Sequence, residues 1–170
     1  MNVARILVIA AAASCIVSHA SAQDSGAYVG AGVGGYNTDL DLQGMTGQVY
    51  AGYTVNPYFA GELTYAYFDK DHVNFGAGQV SIESDVYAAS LLPMIPFGES
   101  VSLFGRIGYG RYDVSASGGG TNASGNDDDY YWGGGVQYRA DAHMSFRGEL
   151  TCLGNDTNEY SYGVAAHYNF

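Results

Sequence analysis

Four acids, Glu62, Glu83, Asp85 and Glu149, and three guanidinium groups, Arg106, Arg139 and Arg147, are the charged residues whose setting could give them chemistry. If they leave water they must pair and hydrogen-bond, because an isolated buried charge is costly. Such a set could plug a passage or line one. His143-Met144-Ser145 puts an imidazole two residues from a hydroxyl. A serine nucleophile needs such a base, a third orienting group and access to its acyl substrate. Gly30-x-Gly32-x-x-Gly35 has the letters of a dinucleotide fingerprint, but that fingerprint requires a helix directly after the glycines. Acids gather at Asp39 and Asp41, Asp69 and Asp71, Asp127 to Asp129, and Asp156 and Glu159. None of these runs has the D-x-D-x-D-G form of a calcium loop, so no metal and no cofactor is expected.

The elements that must position these residues are strands. Polarity alternates with a period of two in eight segments separated by turn residues: Ala27–Tyr36, Met45–Thr54, Tyr58–Phe68, Val80–Leu92, Val101–Val114, Asp129–Ala140, Met144–Leu153 and Tyr160–Phe170. Most come near the ~9–11 residues a tilted membrane strand needs. In the last segment Tyr160, Tyr162, Val164, Ala166, Tyr168 and Phe170 alternate with Ser161, Gly163, Ala165, His167 and Asn169. The glycine fingerprint is therefore followed by a loop and a strand, and its glycines are expected to make room inside the fold. A soluble sandwich has the same period. Its polar face, however, looks at water and carries Lys, Glu and Thr, whereas here that face carries small residues and a few isolated charges. This suits the narrow interior of a closed barrel, and parity assigns all seven charges named above to it.

Connections alternate in length. Thr54–Pro57, Pro93–Ser100 and Asp141–His143 are short and hold all three prolines; Asn37–Gly44, Asp69–Gln79, Ser115–Asp128 and Gly154–Glu159 are longer and polar. Short turns at one end and long loops at the other form the outer-membrane pattern. Tyr67, Tyr130, Trp132, Tyr160 and Tyr162 fall near the long-loop ends, and Tyr53, Phe59, Tyr138, Phe146, Tyr168 and Phe170 near the short-turn ends. These positions suit aromatic girdles at the two headgroup levels. Ser115–Gly125 is rich in Gly, Ser and Thr and is expected to be a mobile tip.

The first residues read as an export signal. Arg5 is followed by an apolar run from Ile6 to Val17 and by Ala20-Ser21-Ala22, a small-residue cleavage site. The run falls short of the roughly 20 residues a spanning helix needs. The expected organisation is a cleavable signal peptide over residues 1–22 and a barrel domain over 23–170. Cleavage removes Arg5 and no acid, so the formal charge falls from −11 to −12. So acidic a chain lacks the basic patches that phosphates require, and nucleic acid is excluded as a partner. Cys15 leaves with the signal, and Cys152 alone forms no disulfide within the chain. The abundance of glycine and tyrosine, 25 and 16 residues, suits interfacial strands around a crowded interior.

The opening Tyr28-Val29-Gly30-Ala31-Gly32-Val33-Gly34-Gly35-Tyr36, the eight-strand rhythm and the ending Tyr162-Gly163-Val164-Ala165-Ala166-His167-Tyr168-Asn169-Phe170 resemble a known superfamily. It comprises the transmembrane domain of outer-membrane protein A, the OmpX/Ail/Lom group and the opacity-type proteins. The resemblance implies an all-β fold, an eight-stranded antiparallel up-and-down transmembrane β-barrel, in the bacterial outer membrane. It implies that Tyr162, Val164, Ala166, Tyr168 and Phe170 form the C-terminal signal read by the outer-membrane assembly machinery. Lipid and lipopolysaccharide are the implied surroundings, and the loops are the implied site of adhesion or host contact. Some lipid A deacylases with this barrel carry a His-x-Ser motif. Here His143 and Ser145 sit at a short turn, on the periplasmic side and facing inward, away from outer-leaflet lipid A, so catalysis is not expected. The expected function is a non-enzymatic envelope barrel that presents surface loops; a small-solute pore is the alternative. Glu62, Glu83, Asp85, Arg106, Arg139, Arg147 and Glu149 are expected to plug the lumen as a charge network.

Overall fold

The computed structural model describes residues 25–37, 43–75, 78–118, 121–154 and 159–170. The expected signal peptide lies outside them. Eight strands follow in chain order: β1 (Gly26–Asn37), β2 (Gln43–Asn56), β3 (Phe59–Phe75), β4 (Gly78–Phe97), β5 (Val101–Gly118), β6 (Thr121–Arg139), β7 (Met144–Leu153) and β8 (Tyr160–Asn169). Each pairs antiparallel with its sequence neighbour, and β1 pairs with β8, so the sheet closes into a barrel. Closure matters energetically, since it leaves no barrel strand with a row of unpaired backbone groups.

The polarity of the wall is inverted relative to a soluble protein. Leu63 and Leu91 are each 67% exposed, while Glu62, between strand neighbours on the opposite face, is 3% exposed. Arg106 and Arg147 are buried to the same degree, and Ile107 and Val164 face out. Apolar side chains turned outward and charges turned inward are stable only where the outside is lipid. Tyr130, Trp132 and Tyr162 are exposed at one end, and Tyr53, Phe59, Tyr138, Phe146, Tyr168 and Phe170 at the other. This is the two-girdle arrangement expected of them.

One end of the barrel is finished by tight turns. Between β4 and β5, Gly98 takes a φ of 71°, a conformation that costs a residue without a side chain little. Tyr58 N–H donates to Asn56 Oδ1 at 2.8 Å in the β2–β3 turn. At the opposite, tip end the strands overrun the expected loops. β3 and β4 stay paired to Phe75↔Gly78, and β5 and β6 to Gly118↔Thr121. Most of the segments Asp69–Gln79 and Ser115–Asp128, expected as loops, are therefore ladder. Weak strand propensity is overridden there because every residue added to an established antiparallel register gains backbone partners without a new loop closure.

Pro93 and Pro96, expected in a turn, lie within β4. The β4–β5 ladder skips Leu92 and Pro93 and resumes at Met94↔Phe104 in the same register, and Met94 N–H instead donates to Tyr58 O at 2.7 Å. A proline is tolerated where a bond is already missing.

Candidate functional site: the lumenal charge cluster

The closed sheet carries β3, β5 and β7 past one another with even parity inward on β3 and β5 and odd parity inward on β7, so that Glu62, Arg106, Arg147 and Glu149 meet at mid-height. Arg147 grips Glu62 with two nitrogens, Nη1 to Oε2 at 2.8 Å and Nη2 to Oε1 at 3.1 Å. Arg106 Nη2 bridges both carboxylates, 2.7 Å from Glu62 and 3.1 Å from Glu149. Arg147 Nε stands 3.5 Å from Glu149, and Gln48 donates to the same carboxylate. Tyr28 and Thr64 hydroxyls donate to Glu62 at 3.1 and 3.2 Å. Two cations and two anions thus neutralise each other, and Glu62 accepts from four separate side chains. Bidentate, charge-assisted bonds of this kind are the strong ones.

Beneath the cluster, toward the turn end, the lumen is packed with side chains. The Arg147 guanidinium lies 3.9 Å from the Tyr50 ring centroid, a cation–π contact shielded from water. Tyr28, Tyr50, Ala60, Leu92, Phe104 and Ala165 form the apolar core there. Tyr50 Oη lies 3.3 Å from His167 Nδ1, which fills the lumen near its turn-end mouth. The opening glycines make this packing possible. Tyr28 pairs across the ladder with Gly52, and Tyr50 with Gly30. A Cβ at either glycine would run into the facing ring, so each tyrosine lies over a residue that offers only backbone.

Two of the seven expected members stand outside the cluster. Asp85 is on the wall's outer face, where Tyr65 Oη donates to it at 2.7 Å. β4 has apolar residues on both faces, and its inner face is the one carrying Val86 and Leu92, which the core requires; a parity read from the acids alone inverts it. Arg139 has inward parity but ends exposed at the turn-end mouth, in the last ladder pair of β6 and β7, Arg139↔Ser145. The side chain of Glu83 lies outside the described residues. In exchange, Gln48, Tyr28, Tyr50 and Thr64 belong to the site and were not expected there. The signal was available, because each tyrosine shares parity with a run of small residues.

The His-x-Ser pair is split. Ser145 is 0% exposed and accepts from Asn169 Nδ2 at 3.0 Å. His143 is exposed in the turn and stacks on Tyr168, with ring centroids 5.4 Å apart. Only Ser145 faces inward, because β7 and its alternation begin after His143.

A family model described as the outer membrane protein beta-barrel domain matches residues 7–170. The chain belongs to this outer-membrane barrel family. It is a protein of the bacterial outer membrane. Ail, the attachment invasion locus protein of Yersinia pestis, solved with the heparin analogue sucrose octasulfate, is 17% identical; the match covers 86% of this chain and 98% of Ail with a TM-score of 0.61. Neisserial surface protein A is 14% identical over 89% of this chain and 100% of its own, TM-score 0.62. The N-terminal barrel of Pseudomonas aeruginosa OprF is 12% identical over 87% and 100%, TM-score 0.62. At these identities the likeness concerns the fold. No curated protein matches the chain by sequence. Among outer-membrane barrels a mid-lumen charge cluster is read against membrane geometry, and here it lies level with the lipid-facing Leu63, Ile107 and Leu150, the neighbours of Glu62, Arg106 and Glu149.

Proposed function

We propose that this protein is a non-enzymatic outer-membrane barrel that supports the envelope and holds a hairpin ribbon above the cell surface for contact with a host or another surface. The unequal strand lengths carry this reading: β3 to β6 have 17 to 20 residues, β7 and β8 have 10. The long ends of such barrels face outward, so the surplus of four strands emerges as a sheet. A bulge between Phe68 and Asp71, just where pairing with β2 ends, re-aims it, as bulges do.

The charge of the ribbon bears on the partner. Ail was solved with a sulfated heparin analogue. Here Asp127, Asp128 and Asp129 are exposed on β6, and such a polyanion would be repelled. A cationic or neutral partner suits this surface. Residues Tyr162, Val164, Ala166, Tyr168 and Phe170 are our proposed signal for the assembly machinery, and lipid and lipopolysaccharide the surroundings of the wall.

Deleting residues 115–124 tests the reading. Barrel assembly, followed by the gel shift between unheated and heated samples, should persist while whole-cell adhesion falls; undiminished adhesion overturns it. The paired cluster and the packing beneath it support a sealed lumen. Planar-bilayer conductance should accordingly be small or absent, and large steady channels at neutral pH would favour a pore instead.

A further inference from the structure

Above the charge cluster the lumen is not filled. A partly open cavity of about 70 Å³ remains at the tip end. Its floor is Arg106, Glu149 and Gln48, and Thr64, Thr151 and Ser161 bring hydroxyls to its wall. Ala66, Phe68, Val86 and Ala88 give the wall an apolar side, and Tyr112 and Tyr131 also line it. Three polar atoms of lining residues, Tyr131 Oη, Tyr112 Oη and Arg106 Nε, are buried and have no hydrogen-bond partner among the described residues. Arg106 and Tyr131 are 3% and 6% exposed. Orphaned buried donors are costly and rare, and they mark places where an unseen molecule belongs.

We propose that this vestibule binds a small neutral polyol from the outer side. Size comes first. At ~10–15 Å³ of such space per water, the cavity accepts about five waters or one solute of about six non-hydrogen atoms. Charge comes second. Arg106 and Glu149 already neutralise each other across the floor, so a charged solute would bring an uncompensated charge into a low-dielectric chamber. Wall chemistry comes third. Water alone would satisfy the donors but leave the apolar wall wetted, whereas a polyol turns C–H toward Val86 and Ala88 and hydroxyls toward Thr151, Ser161 and the tyrosines. The sealed cluster below makes the chamber a dead end, so the solute is held and not conducted. This inference does not depend on what the ribbon contacts.

Saturation-transfer NMR with glycerol, on the mature protein in phospholipid nanodiscs free of glycoside detergent, is the test. Glycerol C–H signals should saturate at millimolar concentration, and sodium acetate should give none. Ala88→Leu fills the chamber and should weaken binding about tenfold or more; Tyr131→Phe removes one donor and should weaken it about threefold. The unheated gel shift reports whether each variant folds; if Ala88→Leu does not, Thr151→Val replaces it with about a threefold loss expected. Absence of saturable transfer, equal transfer in a folded filled variant, equal response to acetate, or bound water that glycerol does not displace would each overturn the proposal.

Discussion

The waist of the barrel and the end of its ribbon use carboxylates to opposite effect. At the waist, Glu62 is buried against Arg106 and Arg147 with every approach occupied. On the ribbon, Arg111 and Asp113 stand 3.6 Å apart on the same strand, about half exposed, and Asp127 and Asp129 each turn back to accept from the next residue's N–H, at 2.9 and 2.7 Å. Water screens the ribbon charges, so their pairing contributes little. The waist charges lack that screening, so each depends on its partner. The ribbon acids also occupy backbone donors along β6 above Tyr131, where β7 has already ended. Negative charge on a sheet edge discourages accidental strand addition. The waist is thus built for permanence and the ribbon for staying soluble and available.

The largest expected effect tests the waist. Glu62→Ala should destabilise the barrel by about 3–5 kcal/mol, because it leaves two guanidinium groups buried beside one carboxylate. Urea unfolding in lipid vesicles, read from the single Trp132, measures it. A loss below about 1 kcal/mol, the scale of an exposed pair, would erase the distinction between waist and ribbon. Next comes the packing that carries the waist. Gly30→Val places a branched side chain where the Tyr50 ring lies and should cost about 1–3 kcal/mol by overpacking. Tyr50→Ala in the same chain should relieve part of that clash while losing the Arg147 contact, so the two changes should not be additive. Deleting residues 115–124 should move the urea midpoint very little, since the barrel register below Val114 is complete without them.

The difference between the regions also explains what could be read from the sequence. The eight strands were legible because a lipid-facing wall forces period-two alternation, clearest in β7 and β8, whose bounds match the sequence reading within a residue. Glu62, Arg106, Arg147 and Glu149 were legible because they interrupt small-residue faces. The face of Asp85 was not, because β4 is apolar on both sides and only the position of Leu92 in the core decides between them. The ribbon was hidden for a different reason. Apart from Thr121, Ser115–Gly118 and Thr121–Gly125 lack strand formers, and their pairing is inherited from the register that Val101↔Tyr138 begins. The tyrosine-over-glycine pairs needed the cross-strand register itself, which no single strand contains.

The smallest expected effect lies at the turn end, where an exposed acid is held by backbone alone. Asp141 Oδ1 accepts from His143 N–H and Met144 N–H, both at 2.8 Å. These two bonds hold its carboxyl below the usual carboxylate range. A group with a folded value below its unfolded one stabilises the fold above the unfolded value, and that contribution disappears as pH falls through the folded one. Asp141→Asn keeps an acceptor oxygen in place and removes the charge, so it should lower the urea midpoint slightly at pH 7. The gap between variant and parent should then close as pH falls through the lowered folded value, where the parent carboxyl also becomes protonated. The absence of any gap at pH 7 would mean that the oxygen's position, and not its charge, holds the β6–β7 turn. That outcome would separate the turn from the waist more sharply still, since at the waist charge and position cannot be exchanged independently.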